Sequence, residues 1–323
     1  MKATPGGPPV LVLGVRRSGT TLLRVMLDRH SELAVPDESY FVPQLADRHL
    51  RHVDPDKFVD DLRRIDTLAE WDVPLEKVRA RLTAGMPIGA AIATVYAVYA
   101  EAHGKSRWGD KTPMYMQNLR LLERLFPDAL FVHLIRDGRD AALSFLSMPK
   151  GLMTETWMQP RDVSGFAGQW RAEVKAAQRL GRRVGDERYL EVRYEALVAD
   201  PATTVAAICA WAEVPFEQAM LEYAGVVDVS AKPHQQRLLT PPTRGVRSWR
   251  EQMSRDDAAG FEEIAGDLLA ELGYEVTAAS PPRSVRAQTA RAWYDGRLAA
   301  WNASAALLQR SPLWRRRHPR LEP

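Results

Sequence analysis

Hydrophobic and polar positions along the chain switch repeatedly between two periods. From Pro9, the run Pro-Val-Leu-Val-Leu is mostly β-favouring and unbroken by charge, which predicts a buried strand. After a glycine-bounded turn, Leu22, Leu23, Met26 and Leu27 recur at helical spacing. The same sequence of strand, turn and helix returns at Ala129–Ile135, an apolar run that passes into Arg136-Asp137-Gly138-Arg139-Asp140 and a helix through Leu146. A short strand is predicted at Tyr189–Glu195, and Asp200-Pro201 is a sound helix start because proline at the first helical position lacks only an N–H that would go unused.

Between these units, 53–102 reads as helical. Phe58–Ile65 and Leu75–Leu82 alternate charge with apolar faces, and Ile88–Ala100 is nearly free of charge. The segment is expected to be a helical insertion covering one side of a sheet, with no chemistry of its own. Arg107–Pro113 reads as a compact polar turn before a helix from Met114 to Phe126. Residues 162–184 predict one long helix with Phe166, Trp170, Val174 and Ala177 on one face. Residues 228–245 are proline-rich and aperiodic, a loop or lid. Trp249 opens a helical region running through Phe261, Ile264, Leu268, Leu269 and Leu272, closed by Gly273.

Pro281-Pro282 marks a boundary, dividing a domain of 1–280 from a C-terminal helical extension of 281–323 with a basic tail. In the extension Tyr294, Leu298, Trp301, Ala305 and Leu308 fall at spacings of 4, 3, 4 and 3, one apolar stripe. Its expected partner is the body of the same chain, or a second copy in a homodimer. Contact of Trp314 and the arginine cluster 315–320 with an acidic surface is disfavoured, because the helix is not strongly basic on its polar face.

Composition narrows the class. A chain of 323 residues can bury a large core, and 46% hydrophobic with 26% charged residues is ordinary for a soluble globular protein. A net charge of +3 gives no support to nucleic-acid binding. The single cysteine, Cys209, lies in the apolar run Val205–Trp211; it excludes an internal disulfide and any multi-cysteine metal site, and fits a reducing compartment. No stretch approaches the roughly 20 apolar residues of a membrane span, and the expected location is cytoplasmic.

The candidate chemistry lies in the turns. Gly14 and Gly19 stand where a Walker loop has its two glycines, but Thr20 occupies the place of the lysine, and Arg17, Thr20 and Thr21 are offered instead. Backbone N–H groups at a helix start favour an anion. Taken alone, the loop fits an ordinary βα turn equally well. The second turn adds Arg136 and Arg139 where an open α/β sheet holds its ligand crevice; the plainer account is that they pair with Asp137 and Asp140 on the surface. His133 sits mid-strand as a structural histidine, Asp37-Glu38 form an acidic pair between two prolines, and His30 is a weaker alternative base.

Taken in order, Arg17-Ser18-Gly19-Thr20-Thr21-Leu22, Glu38 at 21 residues beyond Arg17, Asp110-Lys111-Thr112-Pro113, Arg136-Asp137-Gly138-Arg139 with Ser144, and Arg193-Tyr194-Glu195 form a series. It resembles the sulfotransferases that use 3′-phosphoadenosine-5′-phosphosulfate (PAPS), and most of all the tyrosylprotein sulfotransferase branch with its bacterial relatives. The resemblance implies an α/β, P-loop-like three-layer sandwich with a central parallel β-sheet flanked by helices. It implies that Arg17, Ser18, Gly19, Thr20 and Thr21 hold the 5′-phosphosulfate, that Arg136 and Ser144 grip the 3′-phosphate, and that Tyr194 contacts the nucleotide. Glu38 matches the general base and Lys111 a lysine near the transferring group; Arg17 is the fixed cation of the first loop. Arg247 and Trp249 fall where a late loop closes over the nucleotide, although Arg247 replaces the family's serine there. The implied product is PAP, with no metal required, and the implied partner is a hydroxyl-bearing acceptor: a small molecule, lipid, glycan or tyrosine. A P-loop small-molecule kinase is the alternative enzyme, opposed by Thr20 in the lysine position. A nucleotide-binding module without catalysis is the alternative outside enzymes.

Overall fold

Val10 to Leu13 are buried on both faces, as a central parallel strand must be when helices cover the sheet above and below. That strand, β1 (Val10–Leu13), is the middle of the sheet in a computed structural model of the chain, which describes residues 6–49, 52–148, 159–224, 248–277 and 284–311. The others are β2 (Leu33–Ala34), β3 (Arg107–Asp110), β4 (Leu130–Ile135) and β5 (Tyr189–Arg193). All pair in parallel in the order β2-β3-β1-β4-β5, with Val10 opposite both Gly109 and Leu130, and Ile135 opposite Arg193.

Helix α1 (Thr20–Asp28) follows β1. Between β2 and β3 come α2 (Val42–His49), α3 (Pro55–Leu62), α4 (Asp66–Glu70), α5 (Leu75–Arg81) and α6 (Ile88–Ala102). A 3-10 turn (Pro113–Gln117) and α7 (Leu119–Leu125) lead to β4; α8 (Gly138–Leu146) and α9 (Val163–Val184) lead to β5. The rest is α10 (Tyr194–Ala199), α11 (Pro201–Trp211), α12 (Trp249–Gln252), α13 (Arg255–Glu271) and α14 (Val285–Arg310).

The two-residue alternation of the strands divides the core into layers. Leu11, Leu13 and Phe131 face the α2–α7 side and the end of α9, whereas Val10, Val12, Leu130, Val132 and Leu134 face α1, α10 and α11. A further cluster joins Val15 and Ile135 to α8, α9 and α13 at the carboxyl edge of the sheet. This is the three-layer sandwich expected from the resemblance. The long helix expected at 162–184 is α9, with Phe166, Trp170, Val174 and Ala177 all buried. Asp162 starts it by accepting a hydrogen bond from the Gly165 N–H.

Three expectations need correction. Arg107–Asp110 is a strand, β3, and not a turn; four residues with one large apolar side chain gave it no visible period. The helix expected over Met114–Phe126 is a 3-10 turn and then α7. The helical region from Trp249 is broken, because the Ser254 side chain caps a new helix at Asp257 N–H. Gly273 does stand beyond that helix at φ 76°.

The described part of the C-terminal stripe lies on the same chain. α14 packs against α9, α13 and α2, and the Tyr294 ring covers Gly168 so closely that a Cβ there would fall 2.1 Å from it. The side chains of Leu298, Trp301, Ala305 and Leu308, the segment 228–245 with Arg247, Trp157, Met158 and the arginine cluster lie outside what is described. Among the described residues no helix is long and apolar enough to cross a membrane.

Candidate active site

The carboxyl ends of all five strands deliver a candidate group to one edge: the 14–19 loop after β1, Asp37 and Glu38 after β2, Lys111 after β3, Arg136 after β4 and Tyr194 after β5. That edge is where doubly wound sheets bind ligands.

The loop after β1 is shaped by close approach. A Cβ on Gly14 would lie 2.6 Å from the Thr20 methyl and 2.9 Å from the Leu134 carbonyl; one on Gly19 would lie 2.3 Å from the Tyr194 ring. Gly19 (φ 90°) and also Arg17 (φ 70°) adopt left-handed backbone, and Ser18 N–H closes a turn on the Val15 carbonyl. Glycine adopts this conformation freely, whereas Arg17 does so at a cost of about 1–2 kcal/mol.

Arg17 reaches across to the second corner, where its Nε donates to Ser144 Oγ at 3.1 Å. Arg136 Nη1 donates to the Arg17 carbonyl at 3.1 Å, and its guanidinium lies 4.6 Å over the Tyr194 ring. The two corners therefore form one cationic patch. Ser18 Oγ and Arg136 Nε are buried with no partner among the described residues. Orphan donors at a helix start are costly unless an anionic ligand takes them, so the patch fits a nucleotide's phosphates.

The two arginines of the second corner part company. Arg139 is fully buried, paired with Asp137 at 2.7 Å and Glu262 at 2.6 Å, with its guanidinium 3.7 Å over the Trp249 ring. The expected pairing with Asp137 forms, but in the interior and not on the surface. Asp140 instead accepts from the Trp249 backbone N–H at 2.8 Å, which anchors α12 to α8. Trp249, expected at the nucleotide, has its ring against Arg139.

A second group surrounds Glu38. Lys111 Nζ lies 2.5 Å from Glu38 Oε1 and 3.3 Å from Thr21 Oγ1, and the Tyr40 hydroxyl donates to Glu38 Oε2. Burial pushes the Glu38 carboxyl up, but Lys111 and Tyr40 outweigh it and hold the group below its ordinary value, so it is a carboxylate at neutral pH. For Lys111 burial dominates and draws the ammonium down, with Glu38 opposing. The neighbouring acid, Asp37, turns the other way: it pairs with Arg24 at 2.9 Å and fixes the loop after β2.

Behind the Lys111–Glu38 pair is a buried network. Asp110 Oδ2 accepts from Ser39 Oγ at 2.7 Å and Tyr96 Oη at 2.8 Å, while Ser39 N–H donates to Thr112 Oγ1 at 2.9 Å. Burial pushes Asp110 up to about 6 against these bonds. The helical insertion thus reaches the site through Tyr96, contrary to the expectation that it carries no chemistry.

Sequence reasoning missed Tyr40, although it follows Glu38 by two residues; its left-handed backbone (φ 51°), which turns it back on Glu38, leaves no mark in the sequence. His133 is structural as expected, buried and hydrogen-bonded to Tyr189 Oη at 2.7 Å, with burial pushing it down to about 3. His30 is not a base at this site: its Nε2 faces the Pro215 carbonyl at 2.9 Å and its Nδ1 accepts from Glu32 N–H at 3.0 Å, both at the far end of α1.

This edge, with a cationic patch beside a lysine-paired carboxylate, defines a group-transfer enzyme of the P-loop-like class. Residues 8–218 match the model of the sulfotransferase family, and the chain belongs to that family. It is 26% identical over 283 residues to protein-tyrosine sulfotransferase A of Caenorhabditis elegans, covering 85% of this chain and 69% of that protein. It is 27% identical over 289 residues to nodulation protein NoeE of Sinorhizobium fredii, covering 82% of this chain and 65% of that one, so the chain spans only part of each relative. The sulfotransferase domain from the curacin biosynthetic pathway shares the fold, with a TM-score of 0.53, 20% identity, and coverage of 85% of this chain and all (100%) of that domain.

Proposed function

We propose that the chain transfers the sulfuryl group of PAPS to the hydroxyl of an acceptor. The observation that carries this reading is the juxtaposition of two groups at one sheet edge: the Arg17–Ser144–Arg136–Tyr194 patch and the Lys111–Glu38 pair. PAPS supplies an electron-poor sulfuryl group, and in such in-line transfers the protein mostly positions the reactants and stabilises charge.

Arg17, Arg136 and Ser144 hold phosphate, with Ser18, Thr20 and the amides of the first loop and Tyr194 beside them. Glu38 takes the proton of the acceptor hydroxyl. Each carboxylate oxygen offers about two lone-pair directions. Lys111 and Tyr40 use one on each oxygen and leave the others for the acceptor. Lys111, between Glu38 and Thr21, opposes the negative charge that builds on the departing nucleotide, an interaction worth more in the transition state than in the ground state. A cytoplasmic setting accords with the lone cysteine, Cys209, which is buried.

The test is ligand-linked melting. PAP raises Tm by an amount that grows with the logarithm of its concentration over Kd, whereas ATP with Mg²⁺ does not. A shift with ATP and Mg²⁺ alone, accompanied by ATP turnover, would favour the kinase instead. PAP binding with no transfer to any hydroxyl would favour the non-catalytic module.

A further inference from the structure

Outside the groups used above, one buried carboxyl stands beside the phosphate loop. Glu173, on α9, is 3% exposed, and the Gln169 amide one helical turn earlier donates to its Oε1 at 2.7 Å. The Gln117 side chain on the 3-10 turn hydrogen-bonds it as well, and Arg16 is near enough for its charge to act on the carboxyl. Arg16 also touches Met114 Sδ, and three residues along a 3-10 turn bring Met114 and Gln117 to one side. The charge of Arg16 is felt at Tyr40 too, whose hydroxyl is on Glu38. Arg16, next to Arg17 in the first loop, thus acts by its charge on Tyr40 beside Glu38 and on Glu173.

The group around Glu173 is incompletely satisfied. Gln169 Oε1 is buried with no partner among the described residues, although its own amide nitrogen is used. A buried carboxyl and an orphan buried carbonyl are expensive to leave unsatisfied. They suit a ligand that both donates and accepts hydrogen bonds. Arg16 disfavours a cationic ligand, so a neutral one fits.

We propose that Glu173, Gln169, Gln117 and Arg16 form the acceptor-recognition subsite and that the acceptor is a hydroxyl-rich molecule, a sugar or polyol, in preference to a flat apolar phenol. The proposal rests on the sulfotransferase reading above and adds the acceptor's chemical class. Hydroxyls next to the reacting one donate to Gln169 Oε1 and Glu173 and accept from Arg16, and they hold the reacting hydroxyl toward Glu38.

The experiment compares a panel of methyl glycosides with p-nitrophenol and 2-naphthol, using PAPS and the full chain. The wild type is expected to favour at least one glycoside over both phenols by tenfold or more in kcat/KM. Glu173→Leu should raise the glycoside KM at least tenfold and Glu173→Gln severalfold, with the PAP-induced Tm shift unchanged in both. A purely structural Glu173 would instead lower stability and affect both panels alike. Preference for phenols, equal losses on the two panels, or PAP binding without transfer to any glycoside would overturn the acceptor class. Loss of the PAP shift in the wild type itself would overturn the sulfotransferase reading beneath it.

Discussion

Lys111 Nζ and Glu38 Oε1 meet at 2.5 Å, yet the two side chains differ in exposure: 1% for the lysine and 24% for the glutamate. Removing either partner therefore has unequal consequences. Glu38→Ala leaves a fully buried ammonium without its counterion and is expected to cost about 3–5 kcal/mol. Lys111→Met leaves a carboxylate that water can reach and should cost less, about 1.5 kcal/mol. Both should lower kcat by roughly 10²–10⁴-fold. Denaturant titration beside single-turnover transfer checks the asymmetry, and equal stability losses would show that the exposure difference does not matter.

Arg136 and Arg139 are three residues apart and should separate cleanly. If Arg136 holds phosphate as proposed, Arg136→Ala removes a charge-assisted contact worth about 1.5–3 kcal/mol and should weaken PAP binding by about 10–100-fold with little change in Tm. Arg139→Met strands Asp137 and Glu262 in the interior and should cost about 3–5 kcal/mol of stability. Calorimetric PAP titration paired with thermal melts distinguishes the two.

Gly19→Ala is expected to destabilise the chain and abolish PAP binding, because the new methyl would meet the Tyr194 ring and the backbone is left-handed. The double variant Gly19→Ala/Tyr194→Ala should relieve the clash and keep only the about 1–2 kcal/mol backbone cost. A double-mutant cycle on stability measures that coupling.

The pH dependence of stability has a defined sign. Burial pushes Glu173 up from 4.5 to about 7, with Gln169, Arg16 and Gln117 opposing. Between those values the folded chain holds a proton that the unfolded chain has lost, so the contribution of this group falls as pH rises from about 4.5 through 7. Asp110 and Asp140, each pushed up to about 6 chiefly by burial, act in the same direction. Glu173→Gln should flatten the upper part of the fall, as read by urea midpoints from pH 5 to 8.

Legibility of the sequence followed the length of the signal. β1, β4, α1, α8 and α9 were readable because each repeats one period over several residues, as at Val10–Leu13 or Phe166–Ala177. β3 was not, since Arg-Trp-Gly-Asp has no run to detect, and its strand character comes from pairing with β1 and β2. The candidate site residues were named from motif order, but their partners came from tertiary geometry. Arg17 turning to Ser144, Arg139 sinking onto Trp249 and Tyr40 folding back on Glu38 all depend on contacts between distant segments or on backbone angles that composition does not encode.

The strand order splits the chemistry into halves. Glu38 and Lys111 come from β2 and β3 on one flank of β1, and Arg136 and Tyr194 from β4 and β5 on the other. Loops on the first flank can consequently be exchanged or lengthened around Glu38 and Lys111 while the opposite flank keeps Arg136, Tyr194 and, on α9, the Gln169–Glu173 pair. A chimera joining the β2–β3 connection of one such protein to the β4–β5 frame of another thus separates what the surroundings of Glu38 contribute to selectivity from what α9 contributes.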